Sequence, residues 1–454
     1  MVQIFQVFTI CFPLYILLCL NMKAIGPSRN KQSMGWRCIF FLMAWLSTLL
    51  IFSCSERQRL NPLDPANPET GGRPFPPNIV SHRDTVILTW EALDFKNVNA
   101  INVYRRIHGE PEFTLVATLA PEIQQYTEYE AAYDISRWYR LTVTSGDYES
   151  PPSDSVRIRP GPSYVWVANA ETGEIIKLTH DGEHIIFRTG AFLHPVKITI
   201  DSRNQMLWVA DFWARRVIGM DNQGKGTGVE LFGPDAVDVE IDTSDNSIWV
   251  LNRNSGVLEK FSSSGNSVLK KSGLDHPEAI ALDPTDGSVW LLEKGNGQVI
   301  QFSRNGDLLR ALPGFRFSLD IQIDPVRKAI WVSDSTQIIR LSMENPDDRL
   351  YLGSYQYVRE IAVNPVTGEC WGIDWSSQKN QSKVFKYSPD GKLIFTLTGF
   401  SDLFGLSINT YNGFCFVIEA RPANLIQLTR EGVFVSSKYL GGSLIDVTVE
   451  NLTD

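Results

Sequence analysis

Acidic side chains recur in this sequence at positions that the spacing makes equivalent. Lys197, Asp238, Ala279, Asp320, Glu360, Gly405 and Asp446 follow one another at intervals of 40 to 45 residues, each four residues before the end of an apolar, strand-like segment. Four of them are acids, and Glu240 lies two residues beyond Asp238. Carboxylates gathered around a narrow axis repel one another and favour a bound cation, and oxygen-only ligands suit calcium. Asp238, Asp320, Glu360 and Asp446 are the ligands such a site would use. The competing reading is a solvated acidic channel with Lys197 neutralising part of the ring, and it implies no cofactor.

Nucleophilic and acid–base chemistry has thinner support. Of the six histidines, His82 and His108 fall in a separate N-terminal region, and His180 and His184 flank a glycine turn. His194 and His276 each precede a proline that opens a strand, so these two could reach the mouth of a central channel. Two isolated histidines are more often turn residues than a catalytic pair. The sequence holds no Gly-x-Ser-x-Gly, no His-Glu-x-x-His and no phosphate loop. Whether the chain is an enzyme stays open, with a non-catalytic role the better reading.

The elements that position these residues follow from a repeat. Trp166, Trp208, Trp249, Trp290, Trp331, Trp371 and Phe416 are spaced by 42, 41, 41, 41, 40 and 45 residues. Three residues after each stands Asn169, Asp211, Asn252, Glu293, Asp334, Asp374 or Glu419. Seven before it, in all copies but the first, stands Asp201, Asp242, Asp283, Asp324, Asn364 or Asn409. Both sets read as structural: the earlier acid opens a turn and caps its backbone N–H groups, and the later one ends a strand. A period of 40–45 residues with four short strands per copy is the pattern of propeller blades. The first copy lacks its leading strand, and Leu444–Asn451 is a leading strand with no copy of its own. The two complete each other and close the ring, which removes the free sheet edges. Residues 161–454 therefore read as an all-β, seven-bladed β-propeller closed by strand 444–450.

In such a ring the connections from outer to next inner strand, and from second to third strand, share one face. They carry Phe212, Trp213, Arg215, Phe315, Arg316, Phe317, Tyr355, Tyr357, Trp375 and Arg421. Aromatics with arginines on one surface suit a protein or glycan partner.

The N-terminus has export grammar. An apolar run follows Arg37 and ends in "IFSC", Ile51 to Cys54. Residues 1–54 hold four of the 42 basic side chains and none of the 51 acids, so the remainder carries 38 against 51, a net of −13. A body this acidic argues against a nucleic-acid partner. A second apolar run lies within residues 1–21; it reads either as a membrane span or as sequence upstream of a start at Met22 or Met34. Residues 55–75 are a proline-rich linker. Residues 76–160 alternate as short strands, including "TVILTWEA" and "RWYRLTV", and read as a β-sandwich. Cys370 and Cys415 each precede a repeat aromatic and read as small core residues, not a disulfide or metal pair.

Three resemblances extend this reading. The "IFSC" ending resembles a bacterial lipobox, which implies acylation at Cys54, attachment to a membrane and an extracytoplasmic place in the bacterial cell envelope, periplasmic or surface. Residues 76–160 resemble a fibronectin type III domain through Trp90, Tyr104, the Tyr139–Val143 strand and the "GDYESPPS" turn. The repeat resembles NHL-repeat and related WD40- and YVTN-like propellers. NHL-type rings commonly have six blades, whereas seven copies align here. Relatives of that fold include lactonases and lyases that gather histidine and acids around a divalent cation. The expectation is a lipid-anchored binding module, with a metal-dependent lactonase- or lyase-like enzyme as the alternative.

Overall fold

The computed structural model describes residues 63–67, 71–92 and 98–451. Cys54, the leader 1–54 and most of the linker lie outside these residues. From Gly72 onward the chain forms one compact unit. Among the described residues every regular element is a strand, and no helix is long and apolar enough to cross a membrane.

The repeat folds as seven four-stranded antiparallel sheets. Six run in sequence order; one of them comprises Ser318–Asp324, Ala329–Asp334, Gln337–Ser342 and Arg349–Leu352. The remaining sheet joins Tyr164–Asn169, Glu174–Leu178 and Ile185–Gly190 to Leu444–Glu450. That closing strand pairs antiparallel with Tyr164–Asn169, Val447 opposite Val167. The innermost strands touch in cyclic order, and Leu444–Glu450 contacts both Pro195–Asp201 and Leu403–Ile408. The ring is thus closed, and the architecture is a β-propeller.

Burial grades outward within each sheet for a physical reason. Second strands are sandwiched between neighbouring sheets and are apolar on both faces; Ser247–Asn252 is buried at every residue. Outermost strands face solvent and alternate, as Leu308–Pro313 does. The repeat aromatics wedge adjacent sheets together. Trp290 packs on Ile321, Ile330 and Val332 of the next sheet, and Trp249 on Ile280 and Leu291. One tight contact requires glycine. Gly306 has φ +81°, and a Cβ there would stand 2.4 Å from the Leu269 side chain of the preceding sheet.

The repeated acids hold loops. At the far end of the inner strands, Asp201 accepts from the Arg203 N–H at 3.0 Å, and Asp283 from the Thr285 N–H at 2.8 Å. At the other end, Asp211 accepts from the N–H groups of Leu193 and His194, both at 2.8 Å. Asp374 does the same for Gln356 and Tyr357 at 2.8 and 3.0 Å. Each anchors the loop that delivers the next inner strand.

Within the same unit, residues 78–158 supply two further sheets. Asn78–His82, Thr85–Thr89 and Gln125–Glu128 make one sheet; Thr114–Leu119, Ala100–Ile107, Arg137–Ser145, Tyr148–Glu149 and Val156–Ile158 make the other. They enclose Val86, Leu88, Ile101, Val103, Tyr139 and Leu141. The buried Tyr139 hydroxyl donates to Glu128 at 2.8 Å, and Arg137 holds the same carboxylate at 2.8 Å.

This sandwich is bonded to the ring through two turns of the first and last sheets. Asp134 meets His180 Nε2 at 3.1 Å and accepts from the Asn412 side chain at 3.1 Å. His184 Nε2 donates to the Arg157 carbonyl at 2.6 Å, and the Arg159 N–H donates to Asp181 at 2.8 Å. Both turns lie at the strand ends opposite those where the inner strands begin. Among the described residues, the sandwich therefore does not cover the other face of the ring.

Candidate functional site

Every inner strand carries the same irregularity at its start. Register shifts fall between Pro195 and Lys197, Ala236 and Asp238, Pro277 and Ala279, Ser318 and Asp320, Val358 and Glu360, Leu403 and Gly405, and Leu444 and Asp446. A bulge inserts one unpaired residue and re-aims its neighbours. Two consecutive residues therefore face the axis where strict alternation would allow one. Two tiers result. The upper tier is Val196, Val237, Glu278, Leu319, Arg359, Phe404 and Ile445; the lower is the charged ring. All of these residues except Gly405 line one cavity at the channel mouth, of about 410 Å³.

Three of the ring acids have a structural task. Asp446 accepts from its neighbour Val447 at 3.0 Å and from Ile198 of the next sheet at 2.8 Å. Asp238 does so with Val239 and Ile280, both at 2.9 Å. Asp320 does so with Ile321 and Ile361 at 2.8 and 2.9 Å. Each aspartate thus ties its own inner strand to the following one.

Lys197 supplies the positive charge at the centre. Its Nζ is 3.8 Å from Asp446, and 29% of its side chain stays accessible, toward the channel. Burial works against its charge, but Asp446, Glu360, Asp238 and Asp320 outweigh it and hold the ammonium well above the usual lysine value. The acids shift upward too. Burial lifts Asp320 to about 6 against the pull of Lys197. Burial and the Asp238 charge lift Glu240 to about 8, and burial pushes Glu360 well above the carboxylate range.

The expected calcium ligands do not converge. Asp238, Asp320, Glu360 and Asp446 place no three ligand atoms within 4.8 Å of one another; among the described residues only Asp181, Glu183 and His184 do. The oxygens of the three aspartates hold backbone N–H groups, and an ammonium already sits among them. Asp181, Glu183 and His184 are in turn committed to Arg159 and Arg157 at the sandwich junction.

The rim of the cavity carries His194, Phe212, Trp213, Arg253 and Tyr357. His194 stacks on Trp213 at 4.2 Å and 16°, and Tyr357 meets Trp375 edge-on at 5.8 Å. Arg253 pairs with Glu278 at 2.9 Å. Arg359 lies 3.3 Å over the Phe404 ring.

Of the ten face residues expected from sequence, Phe212, Trp213 and Tyr357 line this cavity. Arg215 lines a second depression beside Phe232. Arg316, Phe317 and Arg421 are exposed on loops of the same face. Trp375 donates its indole N–H to Asp402 at 3.0 Å. Tyr355 stacks on Phe385 and bonds the Tyr387 hydroxyl, so its ring belongs to packing. Phe315 corrects the expectation: it is 0% exposed, in the core between two sheets beside Trp290 and Ile321. His194 reaches the mouth, whereas His276 is paired with Asp275 outside it. The upper tier, including Glu278, Arg359 and Phe404, escaped the sequence reading. Its signal was there, one position before each ring residue in the aligned repeat.

A serine–histidine–aspartate string also exists, away from the mouth. Ser163 Oγ is 2.6 Å from His180 Nδ1, and His180 Nε2 faces Asp134. Ser163 and His180 are each 1% exposed, and Ser163 also takes a bond from Asn409 at 2.8 Å. No substrate reaches that hydroxyl, so the string is a joint between sandwich and ring, not a nucleophile.

No family model and no curated protein matches the sequence. Solved structures do match in shape. A functionally unknown protein from Desulfotomaculum acetoxidans is 16% identical with a TM-score of 0.52, over 62% of this chain and 98% of that one. A putative 6-phosphogluconolactonase from Bacteroides uniformis is 11% identical with a TM-score of 0.52, over 63% and 99%. Hydrazine synthase from Kuenenia stuttgartiensis is 12% identical with a TM-score of 0.50, over 56% and 89%. At these identities the likeness concerns the fold alone.

Proposed function

We propose that this chain is an exported, lipid-anchored β-propeller that binds a protein or glycan partner at the bacterial cell envelope. Its seven sheets are seven NHL-like blades, and residues 76–160 are a fibronectin type III-like spacer. The observation that carries the binding role is the face opposite the sandwich: a concave mouth rimmed by Trp213, Tyr357 and Arg253, with exposed Arg316, Phe317 and Arg421 around it. Concavity, aromatic anchors and arginines are what recognition surfaces share. The lactonase- or lyase-like alternative draws on His194 at the cavity wall. It competes poorly, because three of the four acids nearest the axis are occupied by backbone N–H groups.

Two experiments test the proposal. The full chain, immobilised, should capture a defined partner from native envelope extract, and Trp213→Ala with Phe317→Ala should lose it; equal capture by both would remove the face from the binding role. The anchor rests on the sequence. Two or more acyl chains give stable attachment where one is marginal. Cys54→Ala should release the protein into the soluble fraction or leave an uncleaved precursor, and unchanged fractionation and processing would refute lipidation.

A further inference from the structure

We propose that the channel mouth seats the end of an uncharged glycan, one sugar ring entering the two-tiered cavity. This rests on the binding reading above and narrows its partner class. Charge is the first argument. Lys197, Arg253 and Arg359 face the same space as Asp238, Glu278, Asp320, Glu360 and Asp446. The three bases repel a metal ion or a basic peptide tip. Glu278 and the three aspartates beneath repel carboxylates and phosphates. Ligands of either sign meet opposition at close range in a poorly screened site, and a neutral polar molecule meets none.

Shape and surface are the second argument. A volume of about 410 Å³ falls at the small end of the range for ligand cavities. Seven inner strands enclose it, so it is a pit and not a groove, and it accepts a chain end. The upper tier sets polar Glu278 and Arg359 among apolar Val196, Val237, Leu319, Phe404 and Ile445. A sugar ring has the matching character: C–H faces that suit apolar walls, and hydroxyls around its edge. Trp213 is 64% exposed while His194 covers one of its faces, which leaves the other as a platform at the rim.

Unengaged polar groups are the third argument. Arg359 has no ion-pair partner among the described residues; its Nε donates to the Phe404 carbonyl at 3.3 Å, and its planar fork suits vicinal hydroxyls. The Glu360 carboxyl, unlike the three aspartates of its tier, accepts no backbone N–H among the described residues.

Calorimetric titration of the full chain tests this. The probes are neutral oligosaccharides of glucose, mannose, xylose and N-acetylglucosamine up to the hexamer, with oligogalacturonate and tetralysine as charged comparisons. At least one neutral series should bind one per chain. Trp213→Ala and Arg359→Met should each weaken it about tenfold or more, with the melting temperature unchanged, while Leu308→Ala, on an exposed outermost strand, leaves it intact. No binding by any neutral series, binding only of charged probes, or binding indifferent to both mouth variants overturns the inference. The envelope capture separates the two claims. If capture depends on Trp213 and Arg359 while no saccharide binds, the glycan falls and the binding module stands. If neither occurs, both fall.

Discussion

Glu240 carries a pH signature that can be worked out in sign. Its carboxyl lies at about 8 in the folded chain against an ordinary 4.5. A carboxyl raised by folding holds its proton more tightly in the native state, so the stability it lends is whole below 4.5 and is lost as pH climbs toward 8. Lys197, raised above the ordinary 10.5, keeps its contribution constant across that window. Glu240→Gln should therefore melt close to wild type at pH 5 and above it at pH 8, with the gap opening between. A gap that does not change with pH would contradict the buried, charge-crowded ring. Asp446→Ala should cost about 2–4 kcal/mol in denaturant unfolding, because it leaves the Ile198 and Val447 N–H groups without acceptors and Lys197 without its nearest carboxylate. At this scale the sequence identified which residues ring the axis and left two readings of what they do there, a calcium site or an acidic ring partly neutralised by Lys197. An aspartate aimed at a channel reads the same whether its oxygens meet a cation or two backbone amides, and only the bulge geometry decides.

Individual strands explain both the success and the failure of the reading. The tryptophan period was legible because each aromatic fills one inter-sheet wedge, and a wedge tolerates little variation in size. Trp290→Ala should accordingly cost about 3–5 kcal/mol, and Gly306→Ala should destabilise by more than about 1 kcal/mol through its positive φ and the Leu269 contact; thermal and denaturant unfolding of the two variants measures both. Loops gave less. Phe315 and Phe317 are two residues apart in one connection, yet the first is in the core and the second is 63% exposed. A loop has no periodicity that says where a side chain points. The upper tier was hidden by the opposite assumption, that a strand alternates strictly, which a bulge suspends at exactly one residue per copy.

Closure and docking belong to the whole molecule. Trp166 donates to Glu450 at 2.8 Å and Lys177 pairs with it at 3.5 Å, so the closing strand is held by side chains as well as by its ladder. Ending the chain at Gly441 should abolish most of the ring's stability and expose two sheet edges; a truncation that melts with the wild type would refute closure. His180→Ala should split a single calorimetric transition into two, because it removes the buried joint between Asp134 and Ser163 and leaves the sandwich to unfold separately. One transition at the wild-type temperature would show the joint to be dispensable. Closure was readable from complementary incomplete copies. The joint was not, since Asp134, His180 and Asn412 belong to three distant segments that no local pattern links. One trace of it is steric: a Cβ on Gly161 would fall 2.2 Å from the His180 ring.

The closing strand also sets an order in time. Tyr164–Asn169 leaves the ribosome far ahead of Leu444–Glu450, and at 5–20 residues per second the delay is roughly 15–60 s. For that interval the first sheet has a bare inner edge, able to pair with any extended segment that arrives. Six later sheets must therefore assemble beside an unfinished neighbour, and the ring becomes committed to its own partner only when the final strand emerges.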